Sequence, residues 1–286
     1  MADSNFSAIL SLNSMNTQLR PGERLIPEDC QTPIHQIQFL RHMFVYEHVK
    51  ERLNSNDYVL DLGFGEGYGT AHLADNCKEI IGVDVEDKVV AYANKRYQKD
   101  NCHFIKYDGN ILPFDDNSFD VITSFQVIEH IENEPAYVSE IYRVLKPGGR
   151  AILTTPNKAT RLKPGQKPFN RFHKREYYSF ELKSALSAKF ANVNVWGVSA
   201  TAEIHRIEYE RIKRGGLMSA MLNLGLRKLI PESMDIKISK FIGRMRKSKT
   251  GGISGGNNEP KFELKDFRIE KEKVDESLDL FAVCIK

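Results

Sequence analysis

Apolar and polar residues follow one another along this chain in a rhythm that changes from helical spacing to short strand-like runs. Between residues 32 and 53 apolar side chains recur at helical spacing, which predicts one or two helices. Five short apolar runs follow: YVLDLG, EIIGVDV, CHFIKYD, FDVITSF and GRAILTTP. Helical patterns over 87–99 and 134–146 separate several of these runs, and KPGG at 146–149 predicts a turn before the fifth. Strand-like runs that alternate with helices predict βαβ units and a parallel sheet covered on both faces.

The C-terminal part continues this pattern with one long interruption. A helical pattern over 176–190 leads to a sixth run, VNVWGVS, and the chain finishes with LDLFAVCIK, which we expect to rejoin the sheet. The connection between these two runs far exceeds an ordinary loop, so an insertion is predicted, helical in pattern and ending in TGGISGGNNEP. The chain then divides into an N-terminal arm and helical cap (1–56), an α/β core (57–199), a basic helical insertion (200–261) and C-terminal strands (262–286).

Composition narrows the class of protein without naming a ligand. The 286 residues are 41% apolar and 28% charged, as in a globular enzyme, and a net charge of +3 argues against chain-wide attraction to nucleic acid. No apolar run approaches the ~18 residues of a membrane-spanning helix, and the N-terminus lacks the regions of a secretory signal. Four scattered cysteines without a C-x-x-C pair indicate free thiols in a reducing compartment, so we expect a cytoplasmic protein.

The stretch VLDLGFGEGYGT, residues 59–70, places glycines directly after the first predicted strand. Glycines concentrate where a backbone needs positive φ or close approach to another group, so this loop is a candidate ligand site. Its spacing from Gly63 is G-x-G-x-G, which differs from the G-x-G-x-x-G of dinucleotide-binding folds. Asp61, two residues before the first glycine, would repel a pyrophosphate and attract a cationic ligand.

Aspartates also follow the next two predicted strands. Asp84 stands about 20 residues after the glycine loop, where an acidic side chain can accept hydrogen bonds from both hydroxyls of a ribose. Asp108 follows the third run, where a carboxylate can accept a hydrogen bond from an adenine amino group. Each aspartate alone could be a helix cap or a turn residue. Together with Asp61 they predict a site for a nucleoside joined to a polar, partly cationic group without phosphate.

Three stretches cover roughly residues 58–157 and carry a family resemblance: VLDLGFGEGYGT, IIGVDVEDKVVAYA and FIKYDGNILPFDDNSFDVITSFQVIEHIENEPAYVSEIYRVLKPGGRAILTTPN. They resemble class I S-adenosylmethionine-dependent methyltransferases of the small-molecule type. The resemblance implies an α/β, doubly wound Rossmann-like sheet of seven strands in the order 3-2-1-4-5-7-6, with strand 7 antiparallel. N-terminal helices and a helical insertion between strands 6 and 7 complete the expected fold. The implied cofactor is S-adenosyl-L-methionine, and the product is S-adenosyl-L-homocysteine.

The same resemblance implies cofactor-binding residues at the ends of the first four strands. The methionine part would lie on the glycine loop, the ribose at the second strand, the adenine at the third, and an aromatic wall beside the sulfonium. In that order the residues are Asp61, Gly63, Phe64, Gly65 and Gly67; Asp84 and Val85; Asp108, Gly109 and Asn110; and Phe125. Phe64 departs from the small residue or cysteine that such families often carry, which leaves the role of the loop backbone intact.

Two flanking stretches, PGERLIPE and FNRFHKREYYSFELKSAL, are similar to a subset of the family that acts on sugars of bacterial surface polysaccharides and related glycans. In that subset the corresponding pieces close over the cofactor and line the acceptor site. Arg24 is the candidate partner of the cofactor carboxylate, because a guanidinium binds a carboxylate through two parallel hydrogen bonds. The alternative is an exposed arginine in a loose arm.

An alcohol acceptor must lose its proton, and histidine is the usual base. SFQVIEHIEN follows the fourth strand, so His130 is the preferred base and Glu129 its neighbour, unless both simply cap or pack the next helix. His173 is a second candidate base or acceptor contact, against an ordinary loop histidine. A related ubiquinone-type pattern binds a divalent metal through an acidic residue where this chain has Gln126, a weaker ligand, so no metal is predicted.

The insertion carries a strong local charge. Twelve Lys or Arg stand against four Asp or Glu between residues 206 and 249. A helical face there would collect its apolar side chains, and such a helix could lie on the inner face of a membrane, cover a phosphate-bearing acceptor, or pack on the core. The members of that face are Met234, Ile238, Phe241, Ile242 and Met245.

O-methylation of a sugar hydroxyl, in a glycan or a nucleotide- or lipid-linked precursor, is the leading hypothesis for function. The acceptor is then a small molecule or a glycan. An RNA methyltransferase is a rival because of the basic segment, although no aromatic RNA-binding face accompanies it. An N-methyltransferase and a cofactor-binding regulatory protein without catalysis are the remaining alternatives.

Overall fold

Eight β-strands form one sheet in the parts of the chain that this computed structural model describes, residues 32–168, 170–223 and 262–286. The strands are β1 (Tyr58–Leu62), β2 (Glu79–Asp84), β3 (Cys102–Lys106), β4 (Phe119–Phe125), β5 (Leu145–Pro156), β6 (Asn192–Ala200), β7 (Phe267–Glu270) and β8 (Asp279–Ile285). Their order across the sheet is β3-β2-β1-β4-β5-β8-β6-β7.

The sheet is doubly wound, and strands β1 to β5 are parallel. Strand β8 lies between β5 and β6 and runs antiparallel to both. The predicted order with an antiparallel last strand is therefore confirmed, because the predicted seventh strand is β8. The count differs by one, since β7 pairs antiparallel with β6 at the edge of the sheet. Its four residues, FRIE, alternate apolar and charged side chains too briefly to stand out in the sequence.

Helices cover the strands. In the described residues they are α1 (Pro33–Lys50), α2 (Tyr68–Leu73), α3 (Asp87–Tyr97), α4 (Glu134–Val144), α5 (Lys158–Arg161), α6 (Ser179–Ser187) and α7 (Ala202–Asn223). Thr32 caps α1 by accepting a hydrogen bond from the His35 N–H, and Asn133 caps α4 by accepting from the Ala136 N–H. The apolar pattern of residues 32–53 therefore corresponds to one helix.

The turn predicted at residues 146–149 lies inside a strand. Helix α4 ends at Val144, and the next residue, Leu145, already pairs with Phe119 of β4. Pairing then shifts register and resumes where Val121 meets Arg150. KPGG therefore forms an irregular beginning of β5, because one strand can absorb extra residues as a bulge without leaving the sheet.

Hydrophobic clusters lie on both faces of the sheet. Val59 of β1 belongs to the cluster packed against α1, α2 and α3, whereas its neighbour Leu60 belongs to the cluster packed against α4 and α6. A third cluster joins α1, α7 and β7 through Ile37, Ile204 and Phe267. Burial on both faces explains why the parallel strands appear in the sequence as continuous apolar runs.

The chain divides into two compact units, residues 1–209 with 262–286, and residues 210–261. The predicted insertion at 200–261 begins with α7, while the apolar face from Met234 to Met245 lies outside the described residues. None of the helices in the described ranges is long and apolar enough to cross a bilayer.

Candidate active site

The carboxyl ends of β1 to β5 meet along one edge of the sheet, as they do in doubly wound folds that bind ligands there. The glycine loop follows β1, Asp84 ends β2, Asp108 follows β3, and Glu129 lies just after β4. His173 joins this edge from the connection between β5 and α6. The fold therefore gathers residues from five separate segments at one place.

The loop between β1 and α2 borders open space at Gly65. The three glycines Gly63, Gly65 and Gly67 have positive φ angles of 78°, 64° and 103°, a region that strains residues with a Cβ atom. A Cβ built on Gly65 meets no atom within 4 Å. The N–H of Gly65 donates to Asp84 Oδ2 at 3.3 Å, which ties the loop to the end of β2. A ligand can thus approach bare backbone beside an acidic side chain.

Apolar side chains flank this acidic position. Val85 is 51% exposed, and Ile111 from the loop after β3 is 67% exposed. Val85 Cγ1 lies 3.3 Å from where a Cβ on Gly109 would stand, so the loops after β2 and β3 adjoin. Asp84 itself is nearly buried, and its Oδ1 accepts the Glu86 N–H at 3.1 Å. Exposed apolar walls near a carboxylate suit a ligand with a flat apolar ring and polar edges.

Asp108 is exposed at the same edge. Its Oδ1 accepts hydrogen bonds from the N–H groups of Asn110 at 2.8 Å and Ile111 at 3.0 Å. These hydrogen bonds lower the pKa of Asp108, so the side chain is charged at neutral pH. An open depression of about 420 Å³ adjoins it, lined by Lys106, Tyr107, Asp108, Ile111 and Pro113.

Asp61 faces into the protein. Its side chain accepts hydrogen bonds from three hydroxyls, those of Tyr46 at 3.1 Å, Thr70 at 2.6 Å and Thr123 at 2.8 Å. Burial raises the pKa of Asp61, and these three hydrogen bonds oppose the rise. In this structure the carboxylate joins β1 to α1, α2 and β4, and its contact with a cationic ligand stays a prediction.

The two aromatic residues predicted at the cofactor are buried. Phe64 packs edge-to-face on Phe104 with ring centroids 4.9 Å apart, so its side chain belongs to the core and leaves the loop backbone free. Phe125 packs on Tyr46 with centroids 4.8 Å apart and forms part of a buried aromatic wall. Arg24, the predicted partner of the cofactor carboxylate, lies outside the described residues.

Glu129, His130 and His173, the predicted catalytic group, lie together. The two imidazole rings pack edge-to-face with centroids 5.0 Å apart. Nδ1 of His130 lies 3.1 Å from the carbonyl oxygen of Phe172, and Nδ1 of His173 lies 2.9 Å from Glu176 Oε1. A carbonyl can only accept, so His130 is assigned an Nδ1 proton, and the Glu176 carboxylate favours the same tautomer in His173. Each Nε2 is then the basic nitrogen.

A buried carboxylate holds His173 in place. Glu176 Oε2 also lies 3.1 Å from Arg161 Nε. Burial opposes ionisation, but the hydrogen bond from His173 and the charge of Arg161 lower the pKa of Glu176. An ionised carboxylate behind an imidazole fixes its orientation, as in general-base pairs of known enzymes.

Glu129 lies behind the imidazoles and is buried. Its Oε2 accepts the Thr155 hydroxyl at 2.9 Å, and burial raises the pKa of Glu129 to about 8. One ligand atom from each of Glu129, His130 and His173 lies within 4.8 Å of the others, so the three could hold a divalent cation. The sequence-based prediction that the site binds no metal stays a prediction.

The raised pKa of Glu129 predicts a decline in stability with pH. The folded protein keeps a proton up to about pH 8 that the unfolded chain, with the ordinary pKa of 4.5, releases. The contribution of Glu129 to the free energy of unfolding is therefore full below about pH 4.5 and is lost as the pH rises toward 8. Glu129→Gln stays neutral at every pH and should remove this decline. Urea denaturation at pH 5, 6, 7 and 8 checks this, and parallel curves for both proteins would contradict it.

The sequence patterns did not identify three residues that shape the site. Tyr46 lies on the buried face of α1, which helical spacing indicates, but nothing local shows that its hydroxyl reaches Asp61. Glu66, inside the glycine loop, is buried and accepts the Tyr97 hydroxyl at 2.8 Å, which ties the loop to α3. Glu176 stands three positions after His173, and that spacing was its one available signal.

Known proteins are similar to this chain. Residues 60–153 match the family described as a methyltransferase domain. A protein of Mycolicibacterium smegmatis, named a probable S-adenosylmethionine-dependent methyltransferase, is 40% identical over 58% of this chain and 62% of its own length. One of the same name in Mycobacterium tuberculosis is 37% identical over 62% of this chain and 63% of its own length. Among solved structures, a S-adenosylmethionine-dependent methyltransferase of Thermotoga maritima has a TM-score of 0.53 at 17% identity, covering 88% of this chain and 95% of that one.

Residues 60–153 therefore match a methyltransferase domain, and over this core the chain is similar to proteins named as probable S-adenosylmethionine-dependent methyltransferases. The chain covers less than two thirds of the length of the two mycobacterial relatives. The cyclase SpnF, with a TM-score of 0.52 at 19% identity over 84% of this chain and 79% of its own, shows that the fold alone does not fix the reaction.

Proposed function

We propose that the protein transfers a methyl group from S-adenosylmethionine to a sugar hydroxyl, in a glycan or a nucleotide- or lipid-linked glycan precursor. The observation that carries the proposal is the pair His130 and His173 at the cofactor edge, with the Nδ1 atom of each imidazole held by an oxygen atom. An alcohol must lose its proton as it is methylated, so a positioned base is of most use for this kind of acceptor.

The residues of the sheet edge fit the cofactor. Gly65 offers open space beside its backbone, and Asp84 lies within reach of a ribose placed there. Val85 and Ile111 supply exposed apolar walls for the adenine, with Asp108 at the margin of the depression. Bound in this place, the cofactor supplies an electrophilic methyl group carried by a positively charged sulfur.

The proposed roles of the histidines follow from their supports. His130 accepts the proton of the acceptor hydroxyl at Nε2, while Phe172 holds its Nδ1 through a backbone carbonyl. His173, fixed by Glu176, contacts the acceptor or receives the proton in turn. Glu129 is neutral near pH 7 because burial raises its pKa, so it adds no negative charge that would keep an imidazole protonated.

The sugar class rests on the stretch FNRFHKREYYSFELKSAL and its place in the fold. It supplies His173 and Glu176, and the N–H of Lys174 donates to the Glu129 carbonyl at 2.7 Å. The stretch therefore lies against the proposed base, where an acceptor has to bind.

Asp84→Ala should weaken the binding of S-adenosylhomocysteine about 100-fold. Two hydrogen bonds to a charged group contribute about 1.5 kcal/mol each at the lower end, and each 1.4 kcal/mol is a factor of ten. Isothermal titration calorimetry measures the change. Asp87→Ala, which removes an exposed carboxylate three residues later, is the matched control and should bind normally. Equal affinities of the Asp84→Ala variant and the wild type would contradict the assignment of the ribose site.

A transfer assay with labelled cofactor tests the acceptor class. Nucleotide sugars, lipid-linked sugars, amines and RNA are offered separately, and we expect the label as an O-methyl sugar after hydrolysis. Label found on an amine or a nucleobase would contradict the proposed sugar hydroxyl and identify that group as the methyl acceptor. Cofactor binding without transfer to any acceptor would instead favour a regulatory protein.

A further inference from the structure

A strongly basic segment connects β5 to α6 next to the two histidines. Between residues 157 and 175 the chain has seven Lys or Arg and no Asp or Glu, although the net charge of the whole protein is +3. The segment leaves the sheet at the carboxyl end of β5 and returns to the site where Lys174 and Arg175 donate backbone N–H groups to the Glu129 carbonyl. Both ends of this basic segment therefore lie at the edge of the sheet that holds the candidate active site.

These seven cations fall into two groups. Three of them pair with glutamates of the fold: Lys158 with Glu181 at 3.3 Å, Arg161 with Glu176 at 3.1 Å and Arg175 with Glu134 at 2.6 Å. The other four are exposed and are here named the cationic lip: Lys163, Lys167, Arg171 and Lys174.

The fold makes little use of the charge of the three lysines in the cationic lip. Within the described ranges, the side chains of Lys163 and Lys167 form no ion pair. Lys174 lies 3.8 Å from Glu132, and both are exposed, so this contact contributes at most about 1 kcal/mol. Four cations on one short connection also repel one another. Several exposed lysines on one short connection, with few ion pairs among them, are typical of a surface that attracts an anion.

Exposed aromatic rings occur within the basic segment and shortly after it in the sequence. Phe172 is 45% exposed, and the Arg171 guanidinium lies 4.8 Å from its ring centroid. The carbonyl of the same Phe172 receives Nδ1 of His130, which places this pair beside the proposed base. Phe180 is 68% exposed and stacks on Tyr178 with centroids 5.6 Å apart. A ligand that is anionic in one part and flat or apolar in another would cover both kinds of surface.

We propose that the cationic lip binds a phosphate or pyrophosphate group of the acceptor, and so selects phosphorylated acceptors over neutral sugars. This inference rests on the proposed function, because it describes the acceptor of the same site. Phosphate matches the cationic lip better than a carboxylate does, since it carries more charge and more acceptor oxygens for several cations. Nucleotide-linked and lipid-linked acceptors share this group.

Calorimetric titration of sodium pyrophosphate into the full chain, saturated with S-adenosylhomocysteine at 50 mM NaCl, tests the inference. Lys163→Gln combined with Lys167→Gln should weaken pyrophosphate binding at least tenfold. Lys183→Gln combined with Lys189→Gln removes the same charge from exposed positions on and after α6, and should change it less than twofold. Titration of S-adenosylhomocysteine itself into each protein reports whether the cofactor site is intact.

The outcomes separate this inference from the proposed function. Three results would overturn the inference: the wild type fails to bind pyrophosphate, the lip variant binds it as tightly as the wild type, or the control variant loses as much affinity as the lip variant. Normal cofactor binding in these experiments would leave the proposed function in place. Failure of the wild type to bind S-adenosylhomocysteine would remove the proposed function itself. Parallel titrations with uridine diphosphate and a prenyl pyrophosphate identify the carrier of the phosphate group. Tighter binding of uridine diphosphate indicates a nucleotide carrier, and tighter binding of the prenyl pyrophosphate indicates a lipid carrier. Tighter binding of single-stranded RNA than of both diphosphates would overturn the inference in favour of nucleic acid.

Discussion

Gly69→Ala is expected to destabilise the protein by about 3 kcal/mol, at the upper end of the range for overpacked cores. A Cβ on Gly69 of α2 would stand 2.1 Å from Cζ of the Tyr46 ring. Helix propensity alone favours alanine over glycine by up to about 1 kcal/mol, so the close contact reverses the expected sign. The ring has little freedom to move, because it packs on Phe125 and its hydroxyl donates to Asp61.

Urea denaturation measures this effect, and a second background isolates its cause. In the Tyr46→Leu protein the ring is absent, so Gly69→Ala should cost far less there. Gly148→Ala is a control for backbone strain, since Gly148 has a φ of 77° and open space around its Cβ position, and should cost about 1 kcal/mol. Unchanged or increased stability of Gly69→Ala in the wild-type background would contradict the packing of α1 on α2.

The packing of the Tyr46 ring on Gly69 also connects helix α1 to the cofactor edge. Tyr46 and Thr70 both donate to Asp61, while the glycine loop that begins two residues later binds Asp84 through Gly65. Displacing the Tyr46 ring should therefore disturb the loop as well as the core. Helix α1 thus stabilises the site through the Tyr46 side chain.

The central strands could be predicted because burial on both faces leaves a clear mark in the sequence. YVLDLG and FDVITSF are continuous apolar runs, and they form β1 and β4. The short strand β7 could not be predicted, since its four residues gain their pairing from β6, far away in the chain. The local composition of KPGG predicts a turn, and the pairing of Leu145 with Phe119 overrides that preference.

The candidate site could be predicted in its residue types more readily than in its contacts. The chemistry of Glu129, His130 and His173 and their place after strands indicate a catalytic group, and the fold brings the three together. The inward direction of Asp61 depends on hydroxyls from three other elements, which no local pattern encodes. The link between His173 and Glu176 likewise depends on a partly buried Arg161 that precedes both in the chain.

His130→Ala is expected to lower the turnover number by a factor of about 10² to 10⁴, the usual contribution of a positioned general base. The substitution removes the proton acceptor but leaves every residue proposed to hold the cofactor in place. Affinity for S-adenosylhomocysteine should therefore stay at the wild-type value. Single-turnover transfer of labelled methyl to the acceptor found in the panel, with a parallel cofactor titration, measures both quantities.

A comparison with two other histidines decides which imidazole takes the proton. His35→Ala removes an exposed histidine near the start of α1 and should retain full activity. If His130 is the base, His173 positions the acceptor. His173→Ala should then raise the KM for the acceptor by a larger factor than it lowers the turnover number. Full activity in His130→Ala with loss of turnover in His173→Ala would assign the proton to the imidazole that Glu176 supports. Full activity in both variants would leave the edge-to-face pair without a chemical role, and the proposal of an alcohol acceptor would lose the observation that carries it.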